Sequence, residues 1–505
     1  ALRAGAAADR RGLRLPLADI FANPTIATQA LVASSVSVAA GAGDEPVGPT
    51  AMTPSQQWFL AQDLPERHHW NDASFLLALQ RPLDTTALAG ALDRVLGHHD
   101  ALRLRFARGE DGAWRARVAA HRTGGATAAE GPAGPADGGD ALPFDVHDLS
   151  RLDAREQKRR SVEISDHLQA SLDLEHGPLL RVAYFDMGER PHCVLFLAHW
   201  LAVDHYSGRI VLEDLFACYS ALEAGGDGAL PARTTSFRSW TRGLADYANS
   251  PEVVAEWEHW TGEDRRRPAT VAVDAEDGPN SLESLENVTV RVEREVTDAL
   301  LHVLPGRMNI DVSQVLCAAV LRSVPGADGP GRLLVDLERH GRDLPVPGAD
   351  VSRTVGRFST LVPVLLAHDP ADGVGRALER VREQTAALPG RGAGHGLLSY
   401  LWEDPRAREL RAMPAAPVGV NYLGQVDEVF LRSDLLSVPR SAFGRQRSGT
   451  GTRFRLIDVI GFVVAGRLNL TVGFSGNRHD AASRKAFVDA LVAELGAIAR
   501  WAKEA

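Results

Sequence analysis

Two imidazoles, an indole and a carboxylate are gathered in seven consecutive residues, His199-Trp200-Leu201-Ala202-Val203-Asp204-His205. Imidazole gains and loses a proton near neutral pH, so His199 and His205 are the groups of this stretch suited to acid–base work. The indole of Trp200 donates a hydrogen bond but offers no lone pair to a proton. The stretch follows an apolar run, residues 193–198, that reads as a buried strand. It precedes an amphipathic stretch, residues 207–222, that reads as a helix with Ser207 as its N-cap. Loops between strand and helix are where sheet-based proteins commonly carry reactive groups. His199, His205, His340 and His395 lack the close spacing with carboxylates that marks a metal site, so no metal is expected.

The elements that must hold this loop alternate along the chain. At 505 residues, with 45% hydrophobic and 24% charged side chains, there is material for more than one core, since single cores stop growing near about 250–300 residues. Helices are expected at 88–98, 152–172, 207–222, 312–323, 374–387 and 481–499. Strands are expected at 179–185, 193–198, 288–292, 333–337, 360–366, 418–422 and 456–474. This mixed α/β (α+β) order divides into two lobes, 51–231 and 232–505. Residues 34–50, rich in small residues, glycine and proline, read as a flexible linker, and the Ala/Gly/Pro tract within 118–143 as a loop that buries too little to fold alone. A net charge of −10 and a pI near 6.0 argue against a nucleic-acid partner, which needs a concentrated basic surface. Cys193, Cys218 and Cys317 are far apart and read as reduced thiols. No apolar run approaches the roughly 18 residues that span a bilayer, and the first residues carry no signal-peptide core. A cytoplasmic protein with no membrane partner is therefore expected.

Taken in order, seven segments from Met52 onward resemble the epimerization domains of nonribosomal peptide synthetases, members of the condensation superfamily. Pro54-Ser55-Gln56-Gln57-Trp58-Phe59 resembles their opening motif, and His99-Asp100-Ala101-Leu102-Arg103-Leu104-Arg105-Phe106 the superfamily's second. The loop at 199–205 resembles the third, two adjacent histidines, three spacers, Asp and Gly, with Trp200 in place of the second histidine and His205 in place of the glycine. Glu338-Arg339-His340-Gly341-Arg342-Asp343 resembles Glu-Gly-His-Gly-Arg-Glu, and Arg353-Thr354-Val355-Gly356-Arg357-Phe358 resembles Arg-Thr-Val-Gly-Trp-Phe. Gly392-Ala393-Gly394-His395-Gly396-Leu397-Leu398 resembles Gly-x-Gly-Tyr-Gly-Leu-Leu, and Asn421-Tyr422-Leu423-Gly424-Gln425 the last motif. Upstream, residues 12–25 resemble the last third of a peptidyl carrier domain, which assigns 1–33 to the C-terminal part of a carrier. The resemblance implies two chloramphenicol-acetyltransferase-like lobes set in a V around a central tunnel, plus a small helical carrier remnant. It also implies a substrate tethered to the phosphopantetheine arm of a carrier serine upstream of residue 1. The implied partners are the peptidyl carrier domain, neighbouring synthetase modules and, by precedent in other degenerate members, a tailoring enzyme acting in trans.

Inverting a Cα centre removes a proton from one face and returns one to the other, so two proton-carrying groups must flank that carbon. In the family these are the second histidine of the loop and the first glutamate of Glu-Gly-His-Gly-Arg-Glu, which the resemblance places at Trp200 and Glu338. Glu338 is thus the candidate base, facing an indole where an imidazole belongs. Losing such a positioned group costs about 10²–10⁴-fold in rate. His205 is a second candidate if its ring reaches the tunnel, set against a polar surface histidine. His199 and Asp204 are expected to be structural, ordering the loop through a hydrogen bond and an ion pair. Trp200, Arg339, His340, Arg357, His395, Asn421, Tyr422 and Gln425 are expected at the tunnel, where Arg339 and Arg357 add charge suited to a carboxylate. Three readings stay open: a platform without ordinary epimerase activity that binds the carrier and a tailoring enzyme, an enzyme of altered one-base chemistry through Glu338 with residual epimerization included, and an inactive spacer.

Overall fold

The computed structural model describes residues 47–121, 141–324, 330–426, 434–437 and 444–504, with positions 13–14, 30 and 34–35 before them. Most of the expected carrier part, 1–33, and of the linker, 34–50, therefore lies outside the described residues, as does the tract at 122–140.

The first half comprises β1 (Gly48–Thr50), α1 (Pro54–Leu60), β2 (Asn71–Ala78), α2 (Thr85–His98), β3 (Leu104–Arg108), β4 (Trp114–Val118), β5 (Phe144–Asp148), α3 (Ala154–Ala170), β6 (Leu180–Asp186), β7 (Cys193–His199) and α4 (His205–Glu223). Four strands form a sheet in the order β2-β7-β6-β5, and β1-β4-β3 form a smaller one. Central strand β7 is buried at every residue, which is why it reads as a continuous apolar run rather than an alternating one. Leu168 on α3 and the following Leu172 pack on Phe185, Leu195 and Leu197, covering one face of the sheet.

The second half contributes α5 (Phe237–Ala248), β8 (Leu285–Arg291), α6 (Val312–Ser323), β9 (Gly331–Arg339), β10 (Thr360–His368), α7 (Val374–Ala386), α8 (Ala393–Tyr400), β11 (Val418–Gln425), β12 (Ile457–Val464), β13 (Arg467–Ser475) and α9 (Ala481–Glu504), with short helical turns between them. Its six-stranded sheet runs β8-β13-β12-β11-β9-β10, with β9, β11 and β12 mutually parallel. Helix α6 starts where a capping box sets it: Asp311 accepts from the Gln314 N–H at 2.9 Å and Gln314 Oε1 accepts from the Asp311 N–H at 2.8 Å.

Two expectations are corrected. Helix α4 starts at His205 and is capped by Asp204, not Ser207, because the Asp204 carboxylate accepts the Ser207 N–H at 2.7 Å. The single strand expected at 456–474 is a hairpin, since Ala465 and Gly466 at φ 50° and 69° make the left-handed two-residue turn that matches strand twist.

The halves are joined where chain from the second bonds to both ends of β2, the edge of the first sheet. Gln80 donates to the Leu435 carbonyl (2.9 Å), Ser437 to that of Ala78 (2.9 Å), and Asn71 to that of Gln446 (2.8 Å), which satisfies backbone groups at both ends of that edge strand. One apolar cluster runs through both halves and includes Phe59, Trp200, Phe237, Trp240 and Phe358. Among the described residues, no helix is long and apolar enough to cross a membrane.

Candidate functional site

Strand β7 delivers the loop, and the opening motif on α1 is its bed. His199 is fully buried; its Nε2 donates to the Arg67 carbonyl at 2.8 Å and its Nδ1 accepts the Leu201 N–H at 3.1 Å, which selects the Nε2–H tautomer. Gln56 donates to the Leu201 carbonyl at 2.7 Å. The Trp200 indole is 6% exposed and stacked on Phe59, with centroids 4.9 Å apart and planes 23° from parallel.

Beyond the loop, Asp204 ties the first half to the second. Its Oδ2 accepts the Phe358 N–H at 3.0 Å, its own N–H donates to the Gly356 carbonyl at 3.1 Å, and Arg342 Nη2 lies 3.6 Å from its Oδ1. Ser207, passed over as the cap, spends its hydroxyl here: Oγ donates to the Gly356 carbonyl at 2.8 Å and accepts from Arg342 at 2.7 Å. Gly341, at φ +64°, sits where a Cβ would collide with the Phe358 carbonyl oxygen. Gly341→Ala is accordingly expected to lower the unfolding free energy by about 2 kcal/mol or more. A shift in denaturant midpoint of less than half that would mean that the turn relaxes freely.

Glu338, next to last in β9, lies beside Asn421 on β11, since the parallel register pairs Leu337 with Val420 one step earlier. Asn421 Nδ2 donates to its Oε2 at 2.8 Å and Arg357 Nη2 to its Oε1 at 3.0 Å. The Arg357 guanidinium lies 3.6 Å from the Trp200 ring centroid with its side chain 1% exposed, against 21% for Glu338. Phe59, Trp200, Arg357, Glu338 and Asn421 thus form one continuous stack from the first half into the second.

The condensation-domain family matches residues 48–128 and 137–503. The chain belongs to that family. A linear gramicidin synthase polypeptide of Brevibacillus parabrevis is 36% identical to this condensation domain over 480 residues, 94% of the chain but 9% of the relative. Bacitracin synthase 3 of Bacillus licheniformis is 28% identical over 496 residues, 98% of the chain and 7% of the relative. The chain thus spans a small fraction of the curated relatives it matches. The crystal structure of the epimerization domain from the third module of tyrocidine synthetase B is similar at a TM-score of 0.79 and 26% identity, covering 91% of this chain and 99% of that one. The first condensation domain of the CDA synthetase shares the fold, with a TM-score of 0.66 at 21% identity, covering 89% of this chain and 96% of that one. The mixed α/β, chloramphenicol-acetyltransferase-like two-lobe architecture is that of this chain.

The remaining residues singled out in the sequence make separate contacts of their own. In this condensation domain His205, the first residue of α4, is half-buried with its ring edge-on to Phe75, centroids 6.1 Å apart. Arg339 donates to the Arg391 carbonyl at 3.4 Å. The His340 Nδ1 accepts the Arg342 N–H at 3.1 Å, and burial pushes its imidazolium pKa down. His395 on α8 meets Trp260 edge-on at 5.3 Å; burial, with Arg265 nearby, pushes its pKa down to about 3. Tyr422 packs against the core, and Gln425 pairs with Val463 past an irregularity in β11. Ligand atoms of His98, His99 and Asp214 lie within 4.8 Å of one another. Both Asp214 oxygens are engaged, Oδ2 with His99 Nε2 at 2.8 Å and Oδ1 with Arg353. Of the residues that join the halves, Arg342 lies within the motif at 338–343, whereas nothing in the sequence marks Ser207 as their common hydrogen-bonding centre.

Proposed function

We propose that this chain is an epimerization-type domain of a nonribosomal peptide synthetase that receives an aminoacyl or peptidyl thioester on the phosphopantetheine arm of an upstream carrier. In this reading it does not perform ordinary two-group epimerization; it presents the loaded carrier to a tailoring enzyme acting in trans. The observation that carries the reading is the state of the two positions at which proton transfer is expected. Trp200 supplies no base, and Glu338 already accepts from Arg357 on one oxygen and Asn421 on the other. Likeness to an epimerization domain along nearly the whole chain supports the family type, and the close packing of Trp200, Arg357 and Glu338 supports an ordered site rather than an eroded one.

The test is Cα deuterium uptake from heavy water on carriers loaded with candidate aminoacyl groups, read by mass spectrometry. Uptake is expected to be at least about 10²-fold below that of a domain holding both proton-carrying groups, with Glu338→Gln making no further difference. Strong uptake lost in Glu338→Gln would instead establish the one-base enzyme.

A further inference from the structure

We propose that Arg357 is the residue that takes Glu338 out of proton transfer and that Trp200 serves to hold Arg357 in place. The two act as one positioning unit. The inference deepens the reading above and rests on it.

Three features of the stack point this way. First, the guanidinium is engaged on a face and at an edge: the Trp200 ring centroid lies 3.6 Å from it, and Glu338 Oε1 accepts from Nη2 at 3.0 Å. A guanidinium keeps its charge at all accessible pH values and stacks on aromatic faces, so a buried arginine here calls for both an indole-like face and a carboxylate. Second, the side chain is 1% exposed, which leaves water little part in balancing its charge. Proton abstraction breaks a substrate Cα–H bond, leaves the electron pair on the substrate enolate and places the proton on Glu338. That proton would neutralise the carboxylate and forfeit its charge-assisted bond to a buried cation, so the pairing opposes proton uptake by Glu338. Third, the indole is itself wedged on Phe59, and the Trp200 backbone N–H donates to the Trp70 carbonyl at 2.9 Å, so the platform is fixed before Arg357 stacks on it.

Restoring an imidazole at position 200 alone would therefore not restore reactivity. The ring would face a permanent cation, which opposes its protonation, and Glu338 would still be engaged. Only removal of the guanidinium together with restoration of the imidazole rebuilds two groups able to exchange protons.

The test uses the full chain with alanyl- and phenylalanyl-pantetheine thioesters in heavy water, comparing Trp200→His, Arg357→Trp and the double variant. Deuterium uptake is expected to stay at the unmodified protein's level in Trp200→His and to rise at least tenfold in the double variant. Equal uptake in Trp200→His and the double variant, or no rise in the double variant, overturns the inference. A second readout does not depend on activity: unfolding midpoints of Trp200→Leu, Arg357→Met and their combination. These changes are expected to be markedly non-additive, because either substitution alone dissolves the same stack; additive shifts overturn the inference. Strong uptake by the unmodified protein would overturn the proposed function, and the stability cycle would still report whether the two side chains are one unit.

Discussion

Arg342→Met is expected to destabilise the protein by about 3–5 kcal/mol, the usual loss when one member of a buried ion pair is removed. Arg342 is 5% exposed and holds four things at once. It donates to the Val351 and Thr354 carbonyls at 2.8 Å each, donates to Ser207 Oγ at 2.7 Å, and lies 3.6 Å from Asp204 Oδ1. Its guanidinium also covers Phe358, 4.0 Å from the ring centroid, and Tyr206 at 4.6 Å. Methionine matches much of the stem but none of the donors. Asp204, 2% exposed, would keep its two backbone donors, from Ser207 and Phe358, and lose the cation beside it. Lysine should recover only part of the loss, because one ammonium cannot reproduce the planar fork that reaches both carbonyls and the hydroxyl. Denaturant unfolding measures this directly as a change in midpoint at constant slope. A shift worth less than about 1 kcal/mol would mean that the two halves are held together elsewhere.

Acidification is expected to weaken the fold between pH 6.5 and about 3, with His395 a principal cause. His395 ordinarily titrates near 6.5 and in the folded protein near 3, through burial and then through Arg265. Its folded pKa is depressed, so within this window the unfolded chain binds a proton that the native ring refuses. Stability is fully present above pH 6.5 and is lost as pH falls toward 3. A displacement of this size is worth up to about 5 kcal/mol at the acid end, less whatever solvent reaches the half-buried ring. His98 acts in the same direction, pushed down to about 4 by burial and by His99. Around His395 the facing helical turn carries Glu256, His259 and Arg265. Burial raises the Glu256 carboxyl, which opposes the trend above its ordinary range, and lowers the His259 imidazolium, which adds to it. His395→Phe keeps a ring against Trp260 and removes the proton. Between pH 6 and 4 it should make the dependence of unfolding free energy on pH shallower by up to about 1.4 kcal/mol per pH unit. An unchanged slope would show that the ring is hydrated in the native state.

Much of the architecture was legible because burial imposes a period on sequence. Strand β7 reads as an unbroken apolar run because both faces of the sheet are covered, and α6 was placed at 312–323 because its apolar spacing agrees with its ends. The hairpin at 457–475 was hidden because Ala465 carries no turn signature of its own; the neighbouring Gly466 supplies it only once both residues turn left-handed. The N-cap of α4 was misplaced because aspartate and serine cap equally well, and only the position of Gly356 decides which is used for what.

At the site, the sequence by itself determined the inventory: a loop with an indole in place of an imidazole, a carboxylate at Glu338, and arginines at positions 339 and 357. Residue types fix which groups can carry protons or permanent charge, and that much needs no coordinates. The tertiary structure alone decided that these substitutions are neighbours. Arg357, 157 positions after Trp200, lies on the indole face and pairs with Glu338, whereas Arg339 turns toward Arg391. The reason is physical: a buried cation is tolerated only where a face and a counter-charge meet, and which side chains meet is set by sheet register and by the packing of one half against the other, neither of which is local in the chain.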